Sequence, residues 1–212
     1  MKNKKIIYKN FIQKKHLNSN LYKNLKTKYL KNLSNIHKNL DMEKDVFHSL
    51  SKKFKFNFKA KDLKKFKKYN RIVLIGMGGS ILGSEAIYAF LKKKIKKDFH
   101  FFDNLDEDKL SSFKKDYNIN QTLFLIISKS GETLETLSNL LAFKIVKKNS
   151  KNLIIITEKN DKSLHLLSRK MKFHFVEHKK YIGGRYSVLS EVGMLPAYLM
   201  GLPINNLRKN IL

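Results

Sequence analysis

At 212 residues and 42% apolar content, the chain can bury one sizeable core and carry an additional arm, since single domains mostly run about 100–200 residues. The absence of cysteine excludes a disulfide framework and a thiolate metal site, and the seven histidines form no HxH, HxxH or HExxH pair, which argues against a structural metal. The net charge of +28 rests on 45 basic residues, of which only Arg71, Arg169, Arg185 and Arg208 are arginines. Lysines spread along the whole chain, among abundant asparagine and isoleucine, point to a compositional bias and argue against a specific nucleic-acid reader, which would favour arginine's bidentate fork. No segment reaches the ~18 uncharged apolar residues of a membrane span, so a soluble, cytoplasmic protein without membrane contact is expected.

Residues 1 to about 70 contain neither glycine nor proline. Leu21, Leu25, Leu30, Leu33, Ile36 and Leu40 recur at helical spacing, followed by Val46, Phe47 and Leu50, which predicts an N-terminal arm of two or three helices. From Arg71 the texture changes. The runs RIVLIG, DFHFFD, TLFLIIS, NLIIIT and MKFHFV read as short strands, apolar throughout, and helical patterns lie between and after them near 81–94, 107–116, 133–148, 161–170 and 187–200. Strands apolar throughout are buried on both faces. An α/β fold is therefore predicted, a doubly wound, mostly parallel sheet of about five strands over 71–212. The closing run, Val188 through Ile204, is too apolar on all sides for a surface helix and is expected to leave an exposed patch that promotes association.

Ligands of such sheets bind beyond the carboxyl ends of the strands, so the turns that follow them carry the candidate chemistry. The first, GMGGS at 76–80, fits neither the dinucleotide fingerprint, because Ile81 stands where a glycine is needed, nor the P-loop, because Ser84 stands where lysine is needed. It reads as a glycine-lined turn that lets backbone approach a ligand, with Ser80 near the helix start. The third-strand turn groups Ser128, Lys129, Ser130, Gly131 and Thr133 at the mouth of a helix, with Thr136 one turn further. Hydroxyls, free N–H groups and the positive end of the helix dipole suit a phosphate there. Glu132 and Glu135 read as first-turn carboxylates that offset the dipole rather than as catalysts. The last, Gly183-Gly184-Arg185-Tyr186-Ser187, places one of the four arginines after two glycines, where a guanidinium can stabilise an oxyanion.

SKSGET after a strand resembles the phosphate loop of the sugar-isomerase (SIS) domain, and the set GMGGSILG, SKSGETLET and GGRYSVLSEVG together resembles the glucose-6-phosphate isomerase family. The resemblance runs from about residue 70 to the C-terminus. It departs from the usual third motif at Lys180, where a small or acidic residue is common, and at Glu191, where a small one is expected. The family implies glucose 6-phosphate and fructose 6-phosphate as ligands, with Ser128, Lys129, Ser130 and Thr133 on the 6-phosphate and Gly79 and Ser80 lining the sugar. Arg185 would face the cis-enediol(ate) formed as a proton moves between C2 and C1. The reaction needs neither cofactor nor metal, and complete members are homodimers. Members are longer and take their general-base glutamate, a histidine and a lysine from a second SIS subdomain. No motif downstream of Arg185 matches these, so the chain is expected to be an N-terminal portion of low activity. The alternative is a non-catalytic SIS-type sugar-phosphate-binding protein.

Overall fold

The computed structural model describes residues 18–209, and contacts divide the chain into two compact units, Met1–Leu40 and Asp41–Leu212. Among the described residues of the first unit there is one helix, α1 (Ser19–Asn39), which starts where the Asn18 side chain accepts a hydrogen bond from the Asn20 N–H at 2.9 Å. The expected boundary near residue 70 needs correction. Residues 41–70 form a 3-10 turn at Val46–Leu50 and a single helical turn, α2 (Ala60–Leu63), and they contribute Phe54, Leu63, Phe66 and Tyr69 to the buried core of the second unit. Sequence spacing at Val46, Phe47 and Leu50 looks helical because a 3-10 turn repeats at nearly the same interval.

The second unit is built on five strands, β1 (Arg71–Gly76), β2 (Asp98–Phe102), β3 (Thr122–Ile127), β4 (Leu153–Thr157) and β5 (His174–Glu177), in the order β2-β1-β3-β4-β5 with every pairing parallel. Helices α3 (Leu82–Leu91), α4 (Glu107–Asp116), α5 (Leu134–Ala142) and α6 (Ser163–Met171) supply the crossovers that parallel strands require. Two short helices follow, α7 (Glu191–Leu199) and α8 (Ile204–Leu207). Alternate strand residues feed two cores. Ile72, Leu74, Leu125 and Ile156 pack with Val192, Met194 and Leu195 of α7, while Val73, Ile75, Phe124 and Ile155 pack with Phe113 of α4, Leu140 of α5 and Leu164 of α6. Both faces are covered, which is why the strands read as unbroken apolar runs.

Local chemistry sets the helix ends. Asp106 caps α4 through a 2.9 Å bond from the Lys109 N–H, Glu107 and Asp108 occupy its first turn, and Lys114 and Lys115 its last, all in the sense the helix dipole favours. The expectation for the closing run is overturned. In α7, Val192, Met194, Leu195, Ala197 and Leu199 are all buried within this chain, between α3 and the sheet. Pro196 inside α7 has no N–H to give the carbonyl of Val192, and Ser84 Oγ of α3 donates to that carbonyl instead, at 3.2 Å.

Candidate sugar-phosphate site

The strand order reverses between β1 and β3, whose carboxyl ends lie side by side with Gly76 opposite Ile127. Neighbouring strands there send their connections to opposite faces, which opens a crevice. Two of the three turns singled out from sequence leave the sheet at this point, and the third packs against one of them.

In the turn after β3, Ser128 is 2% exposed, its Oγ lies 3.0 Å from Thr133 Oγ1, and Thr133 Oγ1 lies 3.4 Å from Ser130 Oγ. Gly131 adopts φ +76°, a left-handed conformation that side chains disfavour, and its N–H donates to Ser128 Oγ at 3.2 Å. Thr133 is the N-cap residue of α5 but makes no side-chain cap bond, because its hydroxyl is turned to the two serines. Three hydroxyls and the amino end of a nine-residue helix thus converge, an arrangement suited to a dianionic phosphate. Thr136, the fourth hydroxyl of the motif, is fully buried and its Oγ1 has no partner among the described residues.

The charges around this turn are partly committed. Lys129 Nζ lies 3.5 Å from Glu158 Oε1, and Glu132 Oε2 lies 2.9 Å from Lys162 Nζ. Glu132 precedes the N-cap Thr133 and so lies outside the first turn of α5, where sequence reasoning placed it beside Glu135; of the two, only Glu135 occupies that turn. Neither Glu158 nor Lys162 was identified from sequence. Each approaches the turn from the β4–α6 connection, about thirty residues away, and no local pattern signals such a pair.

The turn after β1 and the arginine turn form one unit. A Cβ built on Gly79 would lie 2.3 Å from the carbonyl carbon of Gly184 and 2.8 Å from the Arg185 nitrogen, so only glycine lets the two backbones meet. Ser187 Oγ lies 2.6 Å from the carbonyl oxygen of Gly184 and 3.2 Å from that of Gly79, so its one proton is shared across the contact between the two turns. Ser80 is buried but does not cap α3, whose N-cap is Ile81. The Arg185 side chain is exposed and has no hydrogen bond or ion pair with the described residues. With Gly79, Gly184, Leu82 and Phe90 it lines a groove of about 640 Å³. Two further clefts, each lined in part by lysines, lie at the opposite ends of the strands, near Arg71 and Asp98 and near Leu153 and His174.

Two buried ionisable groups, His178 and Glu191, flank the arginine turn in the chain, and sequence reasoning gave neither a role in the site. Burial pushes His178 down to about 4, and its Nδ1 lies 3.0 Å from the carbonyl of Lys179. That carbonyl only accepts, so Nδ1 carries the proton and Nε2 presents a buried lone pair without a partner among the described residues. Glu191, fully buried, is raised above the usual carboxylate range by desolvation, against the lowering effect of Lys179 and of the Asn57 N–H, which donates to Oε1 at 2.8 Å. Among the described residues no three His, Asp or Glu side chains are grouped as metal ligands would be, and no helix is long and apolar enough to cross a membrane.

The phosphoglucose isomerase family profile matches residues 16–208. The glucose-6-phosphate isomerase of Methanocaldococcus jannaschii is 38% identical over 143 residues, which are 66% of this chain and 35% of that protein. That of Borreliella afzelii is 38% identical over 151 residues, 66% of this chain and 28% of that protein. Among solved structures, a glucose-6-phosphate isomerase from Chlamydia trachomatis superposes with a TM-score of 0.57 at 26% identity, covering 70% of this chain and 30% of that one. A hypothetical protein, TT0462, from Thermus thermophilus gives 0.63 at 27% identity, covering 70% and 38%. The chain thus spans about a third of the length of the curated relatives it matches.

Proposed function

The chain belongs to the phosphoglucose isomerase family, and from that premise we propose that it is the sugar-phosphate-binding part of a glucose-6-phosphate isomerase, which interconverts glucose 6-phosphate and fructose 6-phosphate. The observation that carries this reading is the convergence of Ser128, Ser130 and Thr133 hydroxyls at the amino end of α5, beside the contact between Gly79 and the Arg185 turn. The 6-phosphate sits at α5, where unpaired N–H groups and hydroxyls donate to its oxygens. Lys129 adds a charge moderated by Glu158. Gly79 and Ser80 line the sugar. Arg185, without a hydrogen bond or ion pair among the described residues, faces the C1–C2 region, where a fixed guanidinium stabilises the negative charge of a cis-enediol(ate) more than the neutral sugar. In this reading the enzyme acts in the cytoplasm, in glycolysis and gluconeogenesis, uses no metal or organic cofactor, and is a homodimer when complete.

Calorimetric titration of the chain with fructose 6-phosphate tests the phosphate seat. Ser128→Ala and Thr133→Ala are each expected to weaken binding about tenfold, as loss of a hydrogen bond to a charged group does. Unchanged affinity in both variants would sink the assignment.

One observation favours a second reading, a non-catalytic sugar-phosphate-binding protein. Glu132 and Glu158, the carboxylates that flank the phosphate seat, are each engaged by a lysine, at 2.9 and 3.5 Å. A coupled assay that detects fructose 6-phosphate formed from glucose 6-phosphate separates the two: turnover supports the enzyme, and binding without turnover supports the sensor.

A further inference from the structure

The loop that carries Arg185 is closed at both ends, and the closure at its base uses a buried ion pair. Lys179 and Glu191 lie on either side of the Gly183–Ser187 turn, yet Lys179 Nζ comes within 3.4 Å of Glu191 Oε1, with the two side chains 14% and 0% exposed. Asn57 completes the junction. Its backbone N–H donates to Glu191 Oε1 at 2.8 Å, its Oδ1 accepts from Lys179 Nζ at 2.7 Å, and its Nδ2 donates to the carbonyl of Glu177 at 3.1 Å. Glu191 is also the first residue of α7, where the helix dipole favours a carboxylate. At the tip of the loop, Ser187 and Gly184 are locked onto Gly79. Between these two anchors the Arg185 side chain makes no hydrogen bond or ion pair with the described residues, so its placement follows the backbone the anchors hold.

Stability alone is a poor reason for such a junction. Apolar replacements of a buried ion pair are often neutral or stabilising, and here Glu191 Oε2 has no partner among the described residues. What the pair does supply is a fixed distance between the two ends of the loop. Resting on the sugar-phosphate reading of the site, we propose that Glu191, with Lys179 and Asn57, is a positioning residue that clamps the base of the Arg185 loop and so sets where the guanidinium meets the anionic intermediate.

The test titrates the 212-residue chain with two probes that share the phosphate and differ at the reacting end. D-arabinonate 5-phosphate carries a carboxylate where the enediolate charge develops, and D-arabinitol 5-phosphate carries no charge there. Glu191→Gln keeps the shape of the side chain and removes its charge. It is expected to weaken the aldonate about tenfold and to leave the pentitol within twofold of the parent. Arg185→Ala should give the same split, and the double variant should be no worse for the aldonate than Arg185→Ala alone, because both changes act through one guanidinium. Lys179→Gln, on the partly exposed partner, should reproduce the selective loss if Glu191→Gln fails to fold. Equal losses for both probes, no loss for either, or additive losses in the double variant overturn the proposal. So does loss of folding in both single variants of the pair, which would make it a stability element. If the parent chain binds neither probe, the reading of the site itself falls; if it binds both and the variants show no selective loss, only the clamp does.

Discussion

His178 illustrates how burial alone can give a residue a pH signature. Its ring is held to about 4 from an ordinary value of 6.5, so the unfolded chain binds a proton in that window that the folded chain does not. Stability from this group is fully present above 6.5 and is lost as pH falls toward 4, by about 1.4 kcal/mol per unit at most. Glu191, raised by burial, acts in the opposite sense: its contribution is greatest below the ordinary carboxylate value and declines as pH rises through its folded one. Urea unfolding between pH 7 and 4 should therefore show a slope that His178→Asn flattens, since asparagine can still donate to the Lys179 carbonyl but does not titrate. An unaltered slope in the variant would assign the acid sensitivity to other groups.

At the scale of elements, α7 shows the difference between reading apolarity and locating its partner. An almost wholly apolar helix announces that it is covered, but only packing tells by what, and here α3 and the sheet cover it from within the chain. Leu195→Ala should accordingly cost about 2–5 kcal/mol in denaturant unfolding, as core truncations do. A change below about 0.5 kcal/mol, the range of exposed positions, would return α7 to the surface. The elements best predicted were those whose signal is local. The span 107–116 was expected from its pattern and is the observed extent of α4, because the Asp106 cap immediately precedes it and the first-turn acids and last-turn bases lie within it. The N-terminal boundary was misjudged for the opposite reason. Phe54, Leu63 and Phe66 carry no mark in sequence that distinguishes packing against a distant sheet from packing within an arm.

For the whole molecule, the charge of +28 is the property most open to misreading. The clefts at the amino-terminal ends of the strands are lined by Lys65, Lys68, Lys151 and Lys172 among others, and such diffuse charge binds polyanions only through counterion release. Binding to duplex DNA should be micromolar or weaker, indifferent to sequence, and abolished near 0.2 M salt in electrophoretic titrations. Sequence-selective binding that survives this salt would overturn the reading of the lysines as compositional.

Much of the candidate site was legible because it is made of short segments. Each glycine- or hydroxyl-rich turn directly follows a strand or precedes a helix, so its residues are neighbours in the chain, and a parallel sheet necessarily brings the turns after β1 and β3 to one edge. The sequence by itself determined the strands, the crossover helices and the hydroxyl cluster at α5, because hydrophobic period and turn chemistry act over a few residues. Only the tertiary structure decided that Glu158 meets Lys129, that Ser84 serves the carbonyl Pro196 leaves open, and that Glu191 reaches Lys179 and Asn57 across the base of the arginine loop. These partners lie from 12 to 134 positions apart, and each is a pairing of polar groups forced by burial. Burial is a property of the assembled core, and no local run of residues encodes it.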